Sequence, residues 1–354
     1  MVHTELLMTR PDSVGEDRPA YKLTFLPREI ELDLTARPSD TVTLRIDLNF
    51  QNGSEPLAFN TLIQQEVFEL LVEQAYAEWS FGRYKLRGGK FDAPFGIEPL
   101  DAVDRVTLTR SNLSALAAPD LLTGAAGFAS LMPEVDAYVL AVNGWDLSVD
   151  SNRSKTLGGG LPHRFGARSD GGSMYRGNLS ALVGVEKVGV NELRWVIDYS
   201  GQLQIADTLR LLGEVVYGWE DGEGYTKQGL KASEVGRKLP GVWYGGQLSL
   251  VYEGDERGGS TWDRLSGELR LELLRDPDLT QLVLRLPNFP DMTTLVGASV
   301  ALRYELARGI EAAFEYRSDF ERGDVENVSV QRNYSSIFKW FITQQWLFGV
   351  VGYF

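Results

Sequence analysis

Residues 41–50, TVTLRIDLNF, alternate without exception. Val42, Leu44, Ile46, Leu48 and Phe50 share one parity, and Thr41, Thr43, Arg45, Asp47 and Asn49 share the other. Successive side chains of a strand point to opposite faces, so this period of two predicts a β-strand with one apolar and one polar face. The preceding EIELDLTAR repeats it, with Ile30, Leu32, Leu34 and Ala36 against Glu29, Glu31, Asp33, Thr35 and Arg37. Farther on, Leu193, Trp195, Ile197 and Tyr199 oppose Glu192, Arg194, Asp198 and Ser200. Leu269, Leu271 and Leu273 oppose Glu268, Arg270 and Glu272, and Ile310, Ala312, Phe314 and Tyr316 oppose Glu311, Glu315, Arg317 and Asp319.

A half-buried strand of a soluble sheet alternates as well, so length and polar-face chemistry must separate the two cases. These segments run to about 9–13 residues, enough for a tilted strand to cross a bilayer, against a usual 5 or 6 in globular sheets. Their polar faces carry charges in almost every segment. A sandwich core would have to desolvate those charges at several kcal/mol per ion, whereas a wide aqueous lumen leaves them hydrated. The apolar face then meets lipid, and closure of the sheet satisfies the backbone. The expected fold is all-β, a closed antiparallel transmembrane β-barrel. The last residues, WLFGVVGYF, place Trp346, Phe348, Val350 and Phe354 on one face and end on an aromatic residue. This is similar to the terminal signal of outer-membrane barrels, with Gly352 departing from the usual aromatic two places earlier.

Strands are expected near 20–27, 28–37, 40–50, 68–80, 82–91, 119–130, 135–145, 178–188, 191–203, 207–220, 241–253, 263–275, 280–287, 294–306, 309–320 and 335–354. That makes about sixteen, and an even number brings both termini to the periplasmic side. Long and short connections should alternate. They do through 51–67, 92–118 and 146–177, but the tight link near 204–206 followed by the long 221–240 breaks the rule, which leaves fourteen strands open. Residues 1–19 read as a flexible leader and 20–354 as the barrel, with the loop 92–118 as a candidate for folding into the lumen. Segment 62–72, LIQQEVFELLV, also reads as a short helix.

The formal charge of −14 argues against nucleic acid, which needs a basic surface. The absence of cysteine excludes disulfides, thiolate metal sites and attached c-type haem. No apolar run reaches the length of a transmembrane helix, and the polar start MVHTELLMTRPDSVGEDRP lacks a signal-peptide core, so an exported chain would be met here in mature form. The two histidines, His3 and His163, lie in the leader and in a glycine-rich stretch, GGGLPHRFGARSDGG, read as a surface loop. Neither has the Ser and acidic neighbours of a hydrolase, and Gly158–Gly160 lacks the Gly-Lys-Ser/Thr ending of a phosphate loop. No enzyme activity, cofactor or metal is expected.

Residues 82–124 carry a more specific pattern. Ala75, Tyr76, Glu78 and Trp79 lead into Gly89-Lys90-Phe91; Pro94-Phe95-Gly96-Ile97-Glu98 follows, then Arg110-Ser111, then Gly124. Here the chain resembles the β-barrel porins of the OmpL-like type. The resemblance implies an outer-membrane channel and names no solute.

Charge placement suggests where selection would occur. Arg83, Lys85 and Arg87 share one parity, while the long loop supplies Asp92, Glu98, Asp101, Asp104, Arg105 and Arg110. Folded inward, the loop would set its acids against the basic ladder, and rings of charged side chains are how such pores select ions. Arg45 and Asp47 are expected on the same lumen face. Charges pairing within the wall, or on an exposed loop, are the alternative. The expected function is passive diffusion of ions and small polar solutes through a bacterial outer membrane, with mild cation preference. The expected surroundings are the lipid bilayer and lipopolysaccharide, with a homo-oligomer or a partner protein. A scaffold barrel holding a partner is the other reading, and bilayer conductance separates the two.

Overall fold

A computed structural model describes residues 2–10, 22–52, 68–150, 152–168, 171–186, 192–222, 240–254, 260–277, 292–323 and 340–353. The first eight strands are β1 (Val2–Arg10), β2 (Lys22–Ser39), β3 (Val42–Asn52), β4 (Phe68–Phe81), β5 (Tyr84–Asp92), β6 (Leu121–Met132), β7 (Val135–Val142) and β8 (Thr156–Ala167). The second eight are β9 (Ser173–Val185), β10 (Leu193–Ala206), β11 (Leu209–Glu220), β12 (Gly241–Glu253), β13 (Leu265–Arg275), β14 (Met292–Ala307), β15 (Ile310–Gly323) and β16 (Trp340–Gly352). Each pairs antiparallel with its sequence neighbours, and β1 closes the barrel by pairing with both β2 and β16. Closure leaves no unpaired sheet edge, the condition for strands to cross hydrocarbon.

Period two sets the faces. On β13, Leu269, Leu271 and Leu273 are exposed outward, while Glu268, Arg270 and Glu272 are buried inward. Val215 and Tyr217 of β11, Leu248 and Leu250 of β12, and Phe348 and Val350 of β16 continue the apolar exterior. An apolar outer belt of this kind is stable only against lipid.

Three boundaries differ from expectation. Segments 20–27 and 28–37 form one strand, β2, because the Pro27 position is absorbed by a register shift in its pairing with β1. The supposed leader supplies β1, whose sequence VHTELLMTR alternates too weakly to announce itself but supplies the closing ladder. The glycine-rich stretch with His163 is β8, not a surface loop. Gly158, Gly159 and Gly160 sit where a Cβ would fall 2.7, 2.7 and 2.3 Å from neighbouring atoms, so close packing and not a turn explains the glycines. With β8 in place the connections alternate regularly from β1 to β16, and the irregularity near 204–206 disappears. The expected strand 280–287 and the 62–67 part of the alternative helix lie outside the described residues; from Phe68 onward the latter is strand β4.

Short connections and both termini share one end of the barrel, and the longer connections share the other. Segment 93–120, between β5 and β6, turns inward. It holds a 3-10 turn (Ala102–Asp104) and one helix, α1 (Asn112–Ala117). The hydrophobic core therefore lies inside the barrel. Leu113 and Leu116 of α1 pack on inward-facing Leu140, Leu182, Val196, Val216, Trp243, Leu274 and Leu295.

Candidate functional site

Irregular backbone at membrane depth is tolerated only where protein satisfies its polar groups, and segment 93–120 meets that condition almost residue by residue. Its ends are clasped by Ala93 N–H donating to the Asp120 carbonyl at 2.8 Å. The Pro94 carbonyl accepts from Tyr138 Oη, Asn178 Nδ2 and Ser180 Oγ at 3.0, 2.9 and 2.8 Å. The Gly96 and Ile97 amides donate to Asp198 and Glu214, both at 3.0 Å. The segment thus crosses from β5 over β7 and β9 to β10 and β11.

The far wall completes the anchorage. Arg270 Nη1 lies 2.7 Å from Glu98 Oε1, and Glu98 Oε2 accepts from the Ser111 amide and hydroxyl at 2.7 and 2.8 Å. Arg303 donates to the carbonyls of Ala102, Val103 and Val106. Glu315 accepts from the Leu108 and Thr109 amides at 2.7 and 2.8 Å, and Arg317 donates to Thr109 and Arg110. Glu272 caps the amides of Asn112 and Leu113. Trp243 Nε1 donates to the Ala117 carbonyl at 3.0 Å, and Asp146 receives the amides of Asp120 and Leu121. Burial raises the Glu98 carboxyl, but Arg270, Arg105, the Ser111 amide and Arg110 outweigh it and hold the group below its ordinary range.

The sequence-derived residues divide into four groups. Glu98, Arg105 and Arg110 act within the segment. Arg105 donates to the carbonyls of Pro99 and Leu100 at 3.0 and 2.6 Å, and Arg110 grips Asp120 and Ser114. Asp101 and Asp104 bracket the 3-10 turn, Asp104 being exposed. Asp101 approaches Glu31 and Asp33 of β2, with carboxylate oxygens of all three within 4.8 Å of one another. On the wall, Asp47 is buried and accepts from Arg45 at 2.7 Å and Gln74 at 2.6 Å, and Asp92 ends β5.

The basic ladder does not face the segment's acids. Arg83 lies in the two-residue turn at Gly82–Arg83, which the left-handed φ of 59° at Gly82 permits, and it donates to the hydroxyl of outward-exposed Tyr84. Lys85 and Arg87 pair with Glu78 on the adjacent strand, at 3.4 and 2.6 Å. Arg87 also stacks over Tyr76, 4.3 Å from the ring centroid. Local cross-strand partners one pleat away outcompete a loop that leaves in the opposite direction. The wall charges that hold the segment include Asp198, Glu214, Arg270, Glu272, Arg303, Glu315 and Arg317. All stood on inward parities in the sequence; the signal was alternation of opposite signs within one face, Glu268-Arg270-Glu272 and Glu315-Arg317-Asp319.

His163 lies on the outward face of β8. Its ring stacks on Tyr199 with centroids 5.9 Å apart and touches Phe165 and Tyr175. It belongs to an aromatic belt of the outer wall, with no serine or carboxylate among its hydrogen-bond partners.

Comparison with known proteins agrees with this architecture. The anion-selective porin from Comamonas acidovorans superposes with a TM-score of 0.60 at 10% identity, over 99% of this chain and 97% of that one. OprB of Pseudomonas putida gives 0.61 at 9%, over 99% and 93%. OmpT of Vibrio cholerae gives 0.55 at 11%, over 99% and 95%. No curated protein sequence matches. The family model for beta-barrel porin-2, OmpL-like, matches residues 32–350. A closed sixteen-stranded barrel, an apolar belt, an ionic lumen and a match over nine-tenths of the chain lead to one assignment: the chain belongs to the OmpL-like beta-barrel porin-2 family and is an outer-membrane porin channel.

Proposed function

We propose that the channel passes ions and small polar solutes by diffusion, that segment 93–120 narrows it, and that it favours cations. The carrying observation is the division of charge inside the barrel. Arg270, Arg303 and Arg317 are buried and committed to the segment, so they present no free positive face. The side of the lumen formed by β2 to β5 keeps ionic side chains in water: Asp33, Arg45 and Lys85 are 50%, 30% and 54% exposed. Asp101 faces it from the segment beside Glu31 and Asp33, and buried Asp47 and Glu78 back it. Acids outnumber bases there, and a ring of carboxylates raises the local concentration of cations.

The Comamonas porin is named as anion-selective, so reversal potential is the informative measurement. Purified protein in a planar bilayer under a KCl gradient is expected to prefer potassium, and Asp33→Lys with Asp101→Lys is expected to shift the potential toward chloride. Chloride preference in the unaltered protein would refute the charge argument, and a barrel that inserts without conducting would favour the scaffold reading. Diffusion requires no catalytic group; hydrolysis of lipid or peptide by the purified barrel would contradict this reading. OmpT of Vibrio cholerae has a trimer form, and a homo-oligomer embedded beneath lipopolysaccharide is the proposed assembly. Native mass in detergent tests it.

A further inference from the structure

Beneath the inward segment, toward the end with the short connections, lies a cavity of ≈ 150 Å³. Ile97–Pro99 and Asp104–Thr107 roof it, and inward side chains of β10 to β13 wall it, among them Gln202, Arg210, Leu212, Gln247, Val251 and Glu268. It opens past Asp104 and Glu253, both exposed. A space of that volume holds a molecule of about six heavy atoms.

The charges around the cavity do not balance. Arg270 is engaged by Glu98, Thr107 and Thr109. Arg105 is turned onto the carbonyls of Pro99 and Leu100. Arg210 pairs with Glu253. Glu268 is only 9% exposed and bonds to Ser249; Arg270 and Arg303 act on it through space, but both are held by the inward segment, and Glu268 makes no salt bridge among the described residues. A buried carboxylate with no cation in contact is costly, and a ligand that brings a positive charge to it relieves that cost. Leu212, Val251 and Pro99 supply apolar contact that a bare metal ion does not use, while Gln202, Gln247 and Ser249 supply hydrogen-bonding groups. The geometry points to a binding subsite for a small primary ammonium compound, its nitrogen on Glu268 and its carbon body against Leu212 and Val251. An ammonium has three donors and no acceptor, which suits a carboxylate flanked by a hydroxyl and amide oxygens. The inference deepens the channel reading by naming a solute class, and it rests on that reading for the ligand's access.

The test is binding of ethanolamine, ethylene glycol and glycolate to the full chain in detergent micelles, by calorimetry or saturation-transfer NMR. Ethanolamine is expected to bind about tenfold or more tightly than ethylene glycol, as for a hydrogen bond to a charged group, and glycolate more weakly than either. Glu268→Gln should abolish the preference. Leu212→Trp, which fills the cavity and leaves every wall charge, should abolish ethanolamine binding independently. Asp150→Asn, in the outer connection, should retain it. Equal binding of ethanolamine and ethylene glycol, or a preference that survives Glu268→Gln, would overturn the subsite. Conductance separates the two readings: ethanolamine binding in a barrel that does not conduct refutes the channel alone, and conductance without amine preference refutes the subsite alone.

Discussion

Arg270 of β13 and Glu98 of the inward segment meet at 2.7 Å with both side chains buried. The pair joins the wall to the segment that fills much of the lumen. Removing one partner of such a pair leaves an unpaired buried charge and costs about 3–5 kcal/mol. Arg270→Met is therefore expected to lower stability by that order and to release the segment, giving larger and noisier single-channel currents. Adding Glu98→Gln should recover part of the loss in a double-mutant cycle. Currents from Arg270→Met with unaltered size and noise would show that the pair does not anchor the segment.

The lipid belt makes a second, opposite demand. Leu271 is 63% exposed on the outer face, one residue from Arg270. A basic residue on the lipid face near the bilayer midplane costs about 2–4 kcal/mol, whereas lumen positions tolerate charge. Leu271→Arg should lose about that much in urea unfolding from liposomes, while Thr35→Arg, on the inward parity of β2 beside Asp33, should lose little. Equal losses would place the two faces in the same medium.

The wall was legible because lipid imposes a strict code: Val42 to Phe50 alternate without a break, and so does the ladder. Legibility failed where the inner face stops being aqueous. Apolar doublets such as Val215–Val216, Leu273–Leu274 and Leu295–Val296 break the alternation, and their inward members are the ones that seat helix α1. A doublet in one strand reads as noise, and only its recurrence at the same end of several strands marks a protein-packed interior. Segment 93–120 showed length without periodicity, which signals an unusual loop, but its partners lie 26 to 208 residues away in sequence and no local pattern names them. The glycines of β8 misled for the opposite reason. They serve close packing against Tyr138 and Leu179, and glycine composition alone reads as loop.

Acid should act on the anchorage in a defined direction. The folded Glu98 carboxyl is held below its ordinary value, chiefly by Arg270 acting against burial. A group depressed on folding contributes stability that is fully present above its unfolded pKa, about 4.3 for glutamate. That contribution is lost as pH falls through the lower folded value. The part of the channel noise that depends on Glu98, read as the difference between the unaltered protein and Glu98→Gln, should therefore stay constant from neutral pH down through the ordinary carboxylate range and change only below it. Glu98→Gln should be noisy at neutral pH and lack the acid step. An onset at or above the ordinary glutamate range would reverse the sign and remove Glu98 as its origin.

Trp243 offers a test of the segment's apolar seat that leaves every charge in place. Its ring is fully buried, lies edge-on to Trp145 with centroids 5.9 Å apart, and donates to the Ala117 carbonyl at the end of α1. The ring fits because Gly218 of β11 has no side chain: a Cβ there would stand 2.0 Å from ring carbons of Trp243. Gly218→Val must expel the indole, since both strands are fixed by their ladder and cannot separate. Trp243→Ala removes the same contacts by truncation, at about 3–5 kcal/mol for a large aromatic. Both variants should still assemble as barrels, because the ladder between β11 and β12 does not depend on the ring. Both should also show protease cleavage within 93–120 that the unaltered protein resists. If Gly218→Val stays resistant, α1 is held by its polar contacts alone, and the apolar lining at the long-connection end of the lumen has no part in fixing the segment.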